Sequence, residues 1–454
     1  MPPELFSGSE WLTLAIALLL IVAIKPLRSM VLLAIIGGLL IGLWRGGITQ
    51  IGLRHYQPYY GQTITLSGKV TEDTTYGARG DQRLRLGAVH IEKQALPGVV
   101  WVSTGNLTDV KRGDMVTVHG KLSEGFGNLP ASLYRAELIA AKRPNPGDVA
   151  RRVRDWFAGG VRRTIPEPEA SLGVGYLVGQ RSSLPESLDD QLRAIGLTHI
   201  VVASGYNLTI LVRFARRSFG RLSKYLAALS ASLMIGGFML ITGLSPSMTR
   251  AGLVSGLSLV AWYYGRRIHP LVLLPFAAAV TTLINPAYLW GDIGWYLSFV
   301  SFAGVIILGP LLQRYFWGAN ARLDALKQIL IETASAQLLT LPLIVFAFGQ
   351  YSGYALLANL LVLPAVPFIM LLTFLGGLGG LILPWGGSWF GAPAGALLTY
   401  TTSVVEWVAG LPGARGELTI TASQLIAGYA ALLLFIVFLW RRTRYRFDEY
   451  NIVE

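Results

Sequence analysis

The segment "GLTHIVVASGYNLTIL", residues 196–211, is apolar enough to enter a bilayer and yet carries polar groups near its middle. Ser204, Gly205 and Asn207 interrupt the apolar run, and His199 stands near its start. Polar groups at membrane depth usually face the interior of a helix bundle or a wet path. The segment therefore predicts a membrane-embedded helix whose polar groups serve either a path or a close helix contact.

The composition sets the environment of this segment. Of the 454 residues, 53% are hydrophobic and 14% are charged, which is far from the average of a soluble domain. The chain has no cysteine, which excludes disulfides, thiol nucleophiles and cysteine-ligated metals. Contact with anionic lipid and the preference for basic cytoplasmic loops account for most of its net charge of +13. The charge alone therefore does not indicate nucleic acid. We therefore expect an integral membrane protein.

Two apolar runs, 11–24 and 29–44, open the chain and are separated by "KPLR". A secretory signal carries its basic residues before the apolar core, whereas this N-terminus carries glutamates, so residues 1–50 are predicted to form a retained transmembrane hairpin. The distribution of basic residues places "KPLR" in the cytoplasm. Both ends of the hairpin, and the segment that follows it, are then outside.

Residues 60–143 differ from the rest of the chain, with short alternating segments separated by turn residues. About five strands in this length predict a small β-barrel of the OB type, whose strand face often binds oligonucleotides. In "RLRL" the leucines are expected inside, which leaves Arg83 and Arg85 outside beside Lys69. These three cations are candidate DNA contacts. A solvated face is the alternative, since the basic excess of the domain is small.

Residues 144–198 connect the barrel to the helical part of the chain. In "RRVRDWFAGGVRR", residues 151–163, apolar side chains are spaced to share a helix face opposite the arginines; they are Val153, Trp156, Phe157 and Val161. This pattern predicts an amphipathic helix at the membrane interface. The alternative is a segment that gathers phosphate-rich strands. The mixed segment that follows predicts helices that lie at the outer surface or re-enter it.

From residue 199 to the C-terminus, residues 199–454, nine more apolar segments predict membrane spans, near 199–215, 224–243, 247–264, 270–285, 293–312, 328–348, 355–382, 389–411 and 424–440. With the barrel outside, these spans place "RRSFGRLSK", "GRRIHP", "QRYFWGANARLDALK" and the final "RRTRYR" in the cytoplasm, where basic loops are favoured. The predicted fold class is an α-helical polytopic membrane protein of about eleven spans with an inserted OB-like extracytoplasmic barrel.

Four segments resemble, in order, the competence domain of ComEC-type DNA uptake channels. The first is the opening segment, which resembles the family pattern G-L-x-H followed by S-G and a short helix. The others are "LITGLSPSMTRAGL" at 240–253, "NPAYLWGDIGWYLSFVSFAGV" at 285–305 and "SAQLLTLPLIVFAFGQYSGYALLANLLVLPAVP" at 335–367. An outer OB domain after an N-terminal hairpin is also similar to that family. The resemblance implies a channel for single-stranded DNA in the bacterial cytoplasmic membrane during natural transformation.

Two features depart from the family pattern. Family members usually follow S-G with an apolar residue and then histidine, whereas this chain has Tyr206 and Asn207. Asparagine can donate a hydrogen bond but does not titrate near neutral pH, which argues against a proton-linked role here. Many members also carry a metallo-β-lactamase-like nuclease domain, which is expected to be missing because the sequence has no H-x-H-x-D-H run.

The polar and aromatic residues of the matched segments are candidates for a DNA path. They are His199, Ser204, Gly205, Tyr206, Asn207, Arg250, Trp295, Gln337 and Asn359. Each also has a structural interpretation. Ser204 and Gly205 would let two helices approach, with Asn207 bonded across the interface. Arg250 would extend outward to water, and Trp295 would belong to an aromatic belt.

The expected function is capture of a single strand by the barrel and its passage through the helical bundle. The sequence has no Walker A motif, metal cluster or catalytic triad, so no enzymatic activity, cofactor or metal is expected. The resemblance implies as partners, besides membrane lipid, an outer DNA receptor, a separate nuclease, a cytoplasmic ATPase and single-strand-binding proteins. Two alternatives are a transporter of a small anion or lipid, and a structural scaffold of an uptake complex.

Overall fold

The computed structural model describes residues 8–24, 31–76, 81–92, 94–105, 109–180, 184–201, 204–243, 245–266, 268–318, 323–383 and 387–447. The chain divides into two compact units. The first unit consists of Met1–Asp148 and Ala279–Asp292, and the second of Val149–Ala278 and Ile293–Glu454. The first unit thus contains a segment, Ala279–Asp292, that the sequence places with the helical bundle.

Two helices, α1 (Ser9–Ile24) and α2 (Val31–Arg54), open the first unit and pack against each other. Helix α2 continues well beyond the predicted end of the second apolar run. Arg45 in this extension donates from Nε to the carbonyl oxygen of Leu283 at 2.9 Å and from Nη2 to that of Ile284 at 3.1 Å. The extension of α2 therefore holds the Ala279–Asp292 segment.

The strands of the first unit form a barrel. In the described residues they are β1 (Thr63–Val70), β2 (Thr75–Tyr76), β3 (Gln82–Ile91), β4 (Gln94–Leu96), β5 (Val100–Thr104), β6 (Met115–Glu124) and β7 (Ala131–Lys142). The long strands close a ring in the order β1–β6–β7–β5–β3–β1, in which β5 and β7 are parallel. The short strands β2 and β4 pair with β3. The predicted five-stranded barrel is confirmed, and its architecture is that of an OB-type barrel.

Alternate strand residues fill the barrel, because successive side chains of a strand point to opposite faces. Leu84 and Leu86 of β3 are buried together with Val102 of β5 and Val118 of β6. Burying a side chain of this size contributes about 1.5–3 kcal/mol, so these positions set the register of β3. The outward positions of the same strand remain for polar side chains.

The second unit is helical. Its described helices are α3 (Val149–Arg162), α4 (Glu169–Val178), α5 (Glu186–Ala194), α6 (Thr198–Val201), α7 (Gly205–Phe219), α8 (Lys224–Thr242), α9 (Pro246–Tyr264), α10 (Pro270–Ile284), α11 (Ile293–Ala303), α12 (Gly309–Trp317), α13 (Ala325–Phe348), α14 (Ala355–Val362), α15 (Val366–Ile382), α16 (Gly387–Ala409) and α17 (Ala422–Thr443). The C-terminal end of α10 belongs to the first unit. A π-helical segment, Gly304–Leu308, joins α11 to α12. A two-stranded sheet pairs β8 (Gln350–Ser352) with β9 (Arg415–Glu417).

The described helices make the chain a membrane protein with fewer clear spans than expected. Five helical stretches are long and apolar enough to cross a bilayer: Ile35–Tyr59, Lys224–Thr242, Ile293–Trp317, Ala325–Phe348 and Ala422–Thr443. The first begins within α2 and runs past its end, and the third joins α11, the π-helical segment and α12. The bent pair α14 and α15, at 50°, makes a sixth if it is one span. Ser9–Leu19 and Pro270–Ile284 are apolar but shorter. The eleven predicted spans are therefore not confirmed, because several predicted segments form helices that are short or carry polar residues.

Helix α3 does not have the predicted distribution of side chains. Val153 and Trp156, expected on a shared apolar face with Phe157 and Val161, are exposed, whereas Arg151 and Arg154 are buried. Two of the arginines are thus enclosed by protein, while the predicted position of the helix at the membrane interface stays a prediction. Asp155 lies 3.7 Å from Arg151 and 3.4 Å from Arg154, and this counter-charge makes their burial possible.

Helix α4, for which the sequence allows a surface or a re-entrant position, lies in the core of the second unit. Every residue from Ala170 to Val178 is buried. The reason is its composition, since a helix that is apolar or small on all sides can bury all sides. Helix α5 does have a surface face, where Arg193 pairs with Asp189 at 2.7 Å, while Leu188 and Leu192 are buried.

Candidate functional site

The opening segment of the sequence is broken rather than continuous. Helix α6 is a single turn, and Ser204 caps the next helix, α7, where its Oγ accepts from the backbone N–H of Asn207 at 3.5 Å. Serine is favoured at this position because its oxygen satisfies a free N–H of the first turn. His199 lies on α6, with its ring Nδ1 2.9 Å from the carbonyl oxygen of Gly196. The predicted span therefore becomes a helix that begins only at Gly205.

Asn207 is fully buried and joins α7 to α4. Its Nδ2 donates to the carbonyl oxygen of Tyr176 at 2.9 Å, and its Oδ1 accepts from Ser204 Oγ at 3.3 Å. Tyr176 is in the last turn of α4, where carbonyl groups have no partner within the helix. Asn207 thus caps a buried helix end. This is the cross-helix bond of the structural interpretation, and the assignment of Asn207 to the lining of a path stays a prediction.

Gly205 brings α7 close to α9. A Cβ at this position would lie 3.2 Å from Cβ of Ala251 and 3.8 Å from Nη2 of Arg250. The first turn of α7 carries backbone N–H groups without a helical partner and the positive end of the helix dipole. Tyr206 follows and is 37% exposed. The structure therefore brings Gly205 close to Arg250, whereas their place in a DNA path stays a prediction.

Arg250 is held by α11. Its Nε donates to Oγ of Ser298 at 2.6 Å, and its guanidinium carbon lies 5.3 Å from the ring centre of Phe302 and 5.9 Å from that of Phe299. Ser298 in turn donates to Oγ of Ser247 at 3.4 Å. Aromatic faces stabilise a cation but do not neutralise it. Arg250 therefore packs against α11 rather than extending alone to water.

The charge of Arg250 has no carboxylate partner among the described residues. A guanidinium has five N–H donors, and the contact with Ser298 occupies the Nε donor. The Nη donors remain for a ligand, and Nη2 lies near the first turn of α7. Helix N-termini and guanidinium forks both bind phosphate and carboxylate groups. Arg250, Ser298 and the first turn of α7, called the Arg250 site below, can therefore hold an anion. The sequence predicts a phosphate contact for Arg250 but not the contribution of the helix end.

Trp295 does not form an exposed surface. It is buried, its ring centre lies 4.5 Å from that of Phe299, and the ring of Tyr296 is 5.5 Å away. Trp295 therefore packs behind the rings that contact Arg250. The inward-facing ring packs on Phe299, which contacts Arg250, and the place of Trp295 in a DNA path stays a prediction.

Gln337 and Asn359 lie on α13 and α14. Gln337 is partly buried, and its backbone carbonyl accepts from the hydroxyl of Thr340 at 3.4 Å. Asn359 is buried, and its Nδ2 donates to the carbonyl oxygen of Ala355 at 2.8 Å. Its Oδ1 is buried with no hydrogen-bond partner in the part of the chain that the structure describes. Asn359 thus remains a candidate for a polar contact, whereas the contacts of Gln337 do not decide its role.

The cations predicted on the barrel are exposed but mostly paired. Arg83 contacts Asp81 at 3.1 Å, and Arg85 contacts Glu72 at 3.1 Å. Lys69 is exposed on β1. Paired surface cations favour the solvated-face alternative for the two arginines, since a phosphate would have to displace a carboxylate. The alternation that identified Arg83 and Arg85 as outward-facing does not predict their carboxylate partners Asp81 and Glu72.

The carboxylate of Asp81 is stabilised in its charged form. The Ser103 hydroxyl donates to its Oδ2 at 2.9 Å and lowers the pKa of Asp81, and Arg83 lowers it further. This network fixes the start of β3 against β5.

An aromatic cluster on the barrel was not foreseen from the sequence. The ring centre of Trp101 on β5 lies 5.0 Å from that of Tyr134 on β7 and 5.6 Å from that of Phe126 in the β6–β7 loop. Tyr134 and Phe126 are 57% and 49% exposed. Exposed rings on this type of barrel stack on nucleic-acid bases. The cluster forms because β5 and β7 are neighbours, although they are distant in sequence.

These features define a membrane protein with several apolar helices and a five-stranded barrel. The family described as Competence protein matches residues 176–443, which include α7, α9 and α11. The chain belongs to this family.

A curated relative is ComE operon protein 3 of Bacillus subtilis (strain 168), which is 25% identical over 236 residues. The alignment covers 49% of this chain and 29% of that protein, so the chain matches less than a third of its relative's length. No solved structure matches the chain.

Proposed function

We propose that this protein takes part in DNA uptake and that its helical unit conducts single-stranded DNA across the cytoplasmic membrane of a bacterium during natural transformation. The observation that carries the proposal is the Arg250 site. A guanidinium held by a hydroxyl and two aromatic rings, without a carboxylate partner among the described residues, is suited to a passing phosphate. Membership of the competence family supports DNA as the source of that phosphate.

The barrel guides the strand to the helical unit in this proposal. The cluster of Trp101, Phe126 and Tyr134 stacks on bases without regard to sequence, as a conductor of any strand requires. The barrel lies outside the cell and the C-terminus in the cytoplasm, in accord with the basic loops. The protein is a conductor and not an enzyme. A DNA receptor, a nuclease, an ATPase and single-strand-binding proteins supply capture, degradation of the other strand, energy and protection.

The charge at position 250 tests the proposal. Arg250→Glu replaces attraction of phosphate with repulsion and is expected to lower transformation by at least about a hundredfold. Loss of the attraction and gain of the repulsion each count for about tenfold, or about 1.4 kcal/mol. Arg250→Lys keeps a point charge but loses the guanidinium fork, so we expect an intermediate loss.

The matched control is Arg221→Glu, which makes the same charge change at an exposed residue. Its transformation frequency should stay near that of the wild type. Membrane abundance of each variant is measured in parallel. Normal uptake by Arg250→Glu at normal abundance would remove the site from the proposed path.

A further inference from the structure

Helix α7 carries a polar stripe along its exposed face. Tyr206, Arg213 and Arg217 are exposed and lie within about 20° of one line, because successive helix residues turn by about 100°. The opposite face, with Leu208 and Ala215, is fully buried. The stripe begins next to Gly205, and so beside the Arg250 site. It runs from there to the C-terminal end of α7.

The length and charge of α7 fit a wet surface better than a lipid-facing one. Its 15 residues span about 22 Å, whereas the hydrocarbon core of a bilayer is about 30 Å thick. Arg213 lies about 12 Å from the start of the helix, which is too far from either end of α7 to belong to a terminal turn. Arginine at membrane depth almost always faces a bundle interior or a water-filled cavity.

The stripe has little opposing charge. The sequence contains no aspartate or glutamate between Asp190 and Asp292. Neither Arg213 nor Arg217 pairs with a carboxylate in the described ranges. Glu332 of α13 and Arg213 both act electrostatically on Tyr206. The carboxylate of Glu332 accepts a hydrogen bond from Nε2 of Gln328 at 2.8 Å. The net charge along the stripe is therefore positive.

The C-terminal end of α7 is fixed against α9. The guanidinium of Arg216, beside the stripe, lies 4.6 Å from the ring centre of Trp262. Lys224, at the start of α8, lies 5.7 Å from the same ring and 5.7 Å from that of Tyr263. These contacts occupy Arg216 and Lys224 and leave Arg213 and Arg217 free to meet a ligand from outside the chain.

We infer that Tyr206, Arg213 and Arg217 form a contact surface for single-stranded DNA that continues the Arg250 site along α7. The inference rests on the proposed function and names the next contacts of the strand. Two arginines about 6 Å apart along the axis attract successive phosphates, and the Tyr206 ring provides a face for a base. Anionic lipid headgroups share the phosphate chemistry. The stripe favours DNA because it starts at the Arg250 site and lies on a helix too short to span the bilayer by itself.

The test measures binding of fluorescent oligo(dT) of 20 nucleotides to the full-length protein in nanodiscs of phosphatidylcholine, which is uncharged overall. The dependence of log affinity on log salt concentration has a slope of about −0.7 for each phosphate contact. The double variant Arg213→Gln/Arg217→Gln should therefore make the slope shallower by about 1.4. The control Arg221→Gln/Arg266→Gln removes the same charge from exposed arginines off the stripe and should leave the slope unchanged.

Equal slopes in the two double variants, or a stripe effect that appears only in phosphatidylglycerol nanodiscs, would overturn the inference. Its failure is distinguishable from failure of the proposed function. If the wild type binds the oligonucleotide and Arg250→Glu weakens binding, but the stripe variant behaves as the wild type, only the stripe assignment is lost. If the wild type binds no oligonucleotide at low salt, both are lost.

Discussion

Replacing Asn207 distinguishes a structural residue from a path residue. In Asn207→Leu the number of side-chain heavy atoms and the branch point are kept, but the donor to the Tyr176 carbonyl at 2.9 Å and the acceptor for Ser204 at 3.3 Å are lost. Hydrogen bonds between membrane helices contribute about 0.6 kcal/mol on average, and a buried polar group left without a partner costs about 1–3 kcal/mol. We therefore expect a loss of about 1–3 kcal/mol in the free energy of unfolding, or about 5- to 150-fold in the folded-to-unfolded ratio.

The assay is denaturant unfolding of the full-length protein in detergent, with membrane abundance measured in cells. Asn207→His is the matched control, because histidine keeps an N–H donor. It should retain more stability and abundance than Asn207→Leu. If Asn207→Leu unfolds at the wild-type midpoint and reaches normal abundance while blocking transformation, the capping role is refuted and Asn207 belongs to the path.

Two further predictions concern the barrel. Trp101→Ala/Tyr134→Ala should weaken binding of oligo(dT) by the full-length protein at least about tenfold without changing the salt dependence, because stacking contributes about 1–3 kcal/mol per base. The control Arg83→Ala/Arg85→Ala removes ion-paired cations and should change affinity much less; the opposite ranking would contradict the stacking surface. The lowered pKa of Asp81 means that its charged form stabilises the folded barrel above its ordinary pKa of about 4 and that this contribution is lost as the pH falls towards the lowered value. Asp81→Asn should therefore destabilise the barrel more at pH 7 than at pH 3, as measured by limited proteolysis in denaturant, and equal effects at both pH values would contradict the network with Ser103.

The sequence predicts local features well where a short pattern determines them. The alternation in "RLRL" places Leu84 inside and Arg83 outside because the period of a strand is fixed. The start of α7 was also readable in principle, since Ser204 is a favoured N-cap three residues before the amide that it binds. The apolar pattern alone extended this helix back to residue 199.

Features that depend on distant partners were not predictable from the pattern. The burial of Arg151 and Arg154 depends on Asp155 and on the helices packed against α3, not on the helical spacing of the arginines. The role of Asn207 depends on the end of α4, about thirty residues earlier in the chain, as the bond to Tyr176 shows. The pairing of β5 with β7 similarly creates the barrel's aromatic cluster. Such contacts follow from the tertiary fold rather than from local sequence.

Photo-crosslinking beside Arg250 during uptake tests whether the DNA strand passes this residue. Phe302, whose ring centre lies 5.3 Å from the Arg250 guanidinium, is replaced with a photoreactive phenylalanine derivative, and cells are irradiated while they take up labelled DNA. Phe438, exposed on α17, serves as the control position. We expect labelled single strands attached at position 302 and none at position 438. Uptake at the normal rate with no label at position 302 would contradict conduction of DNA past Arg250.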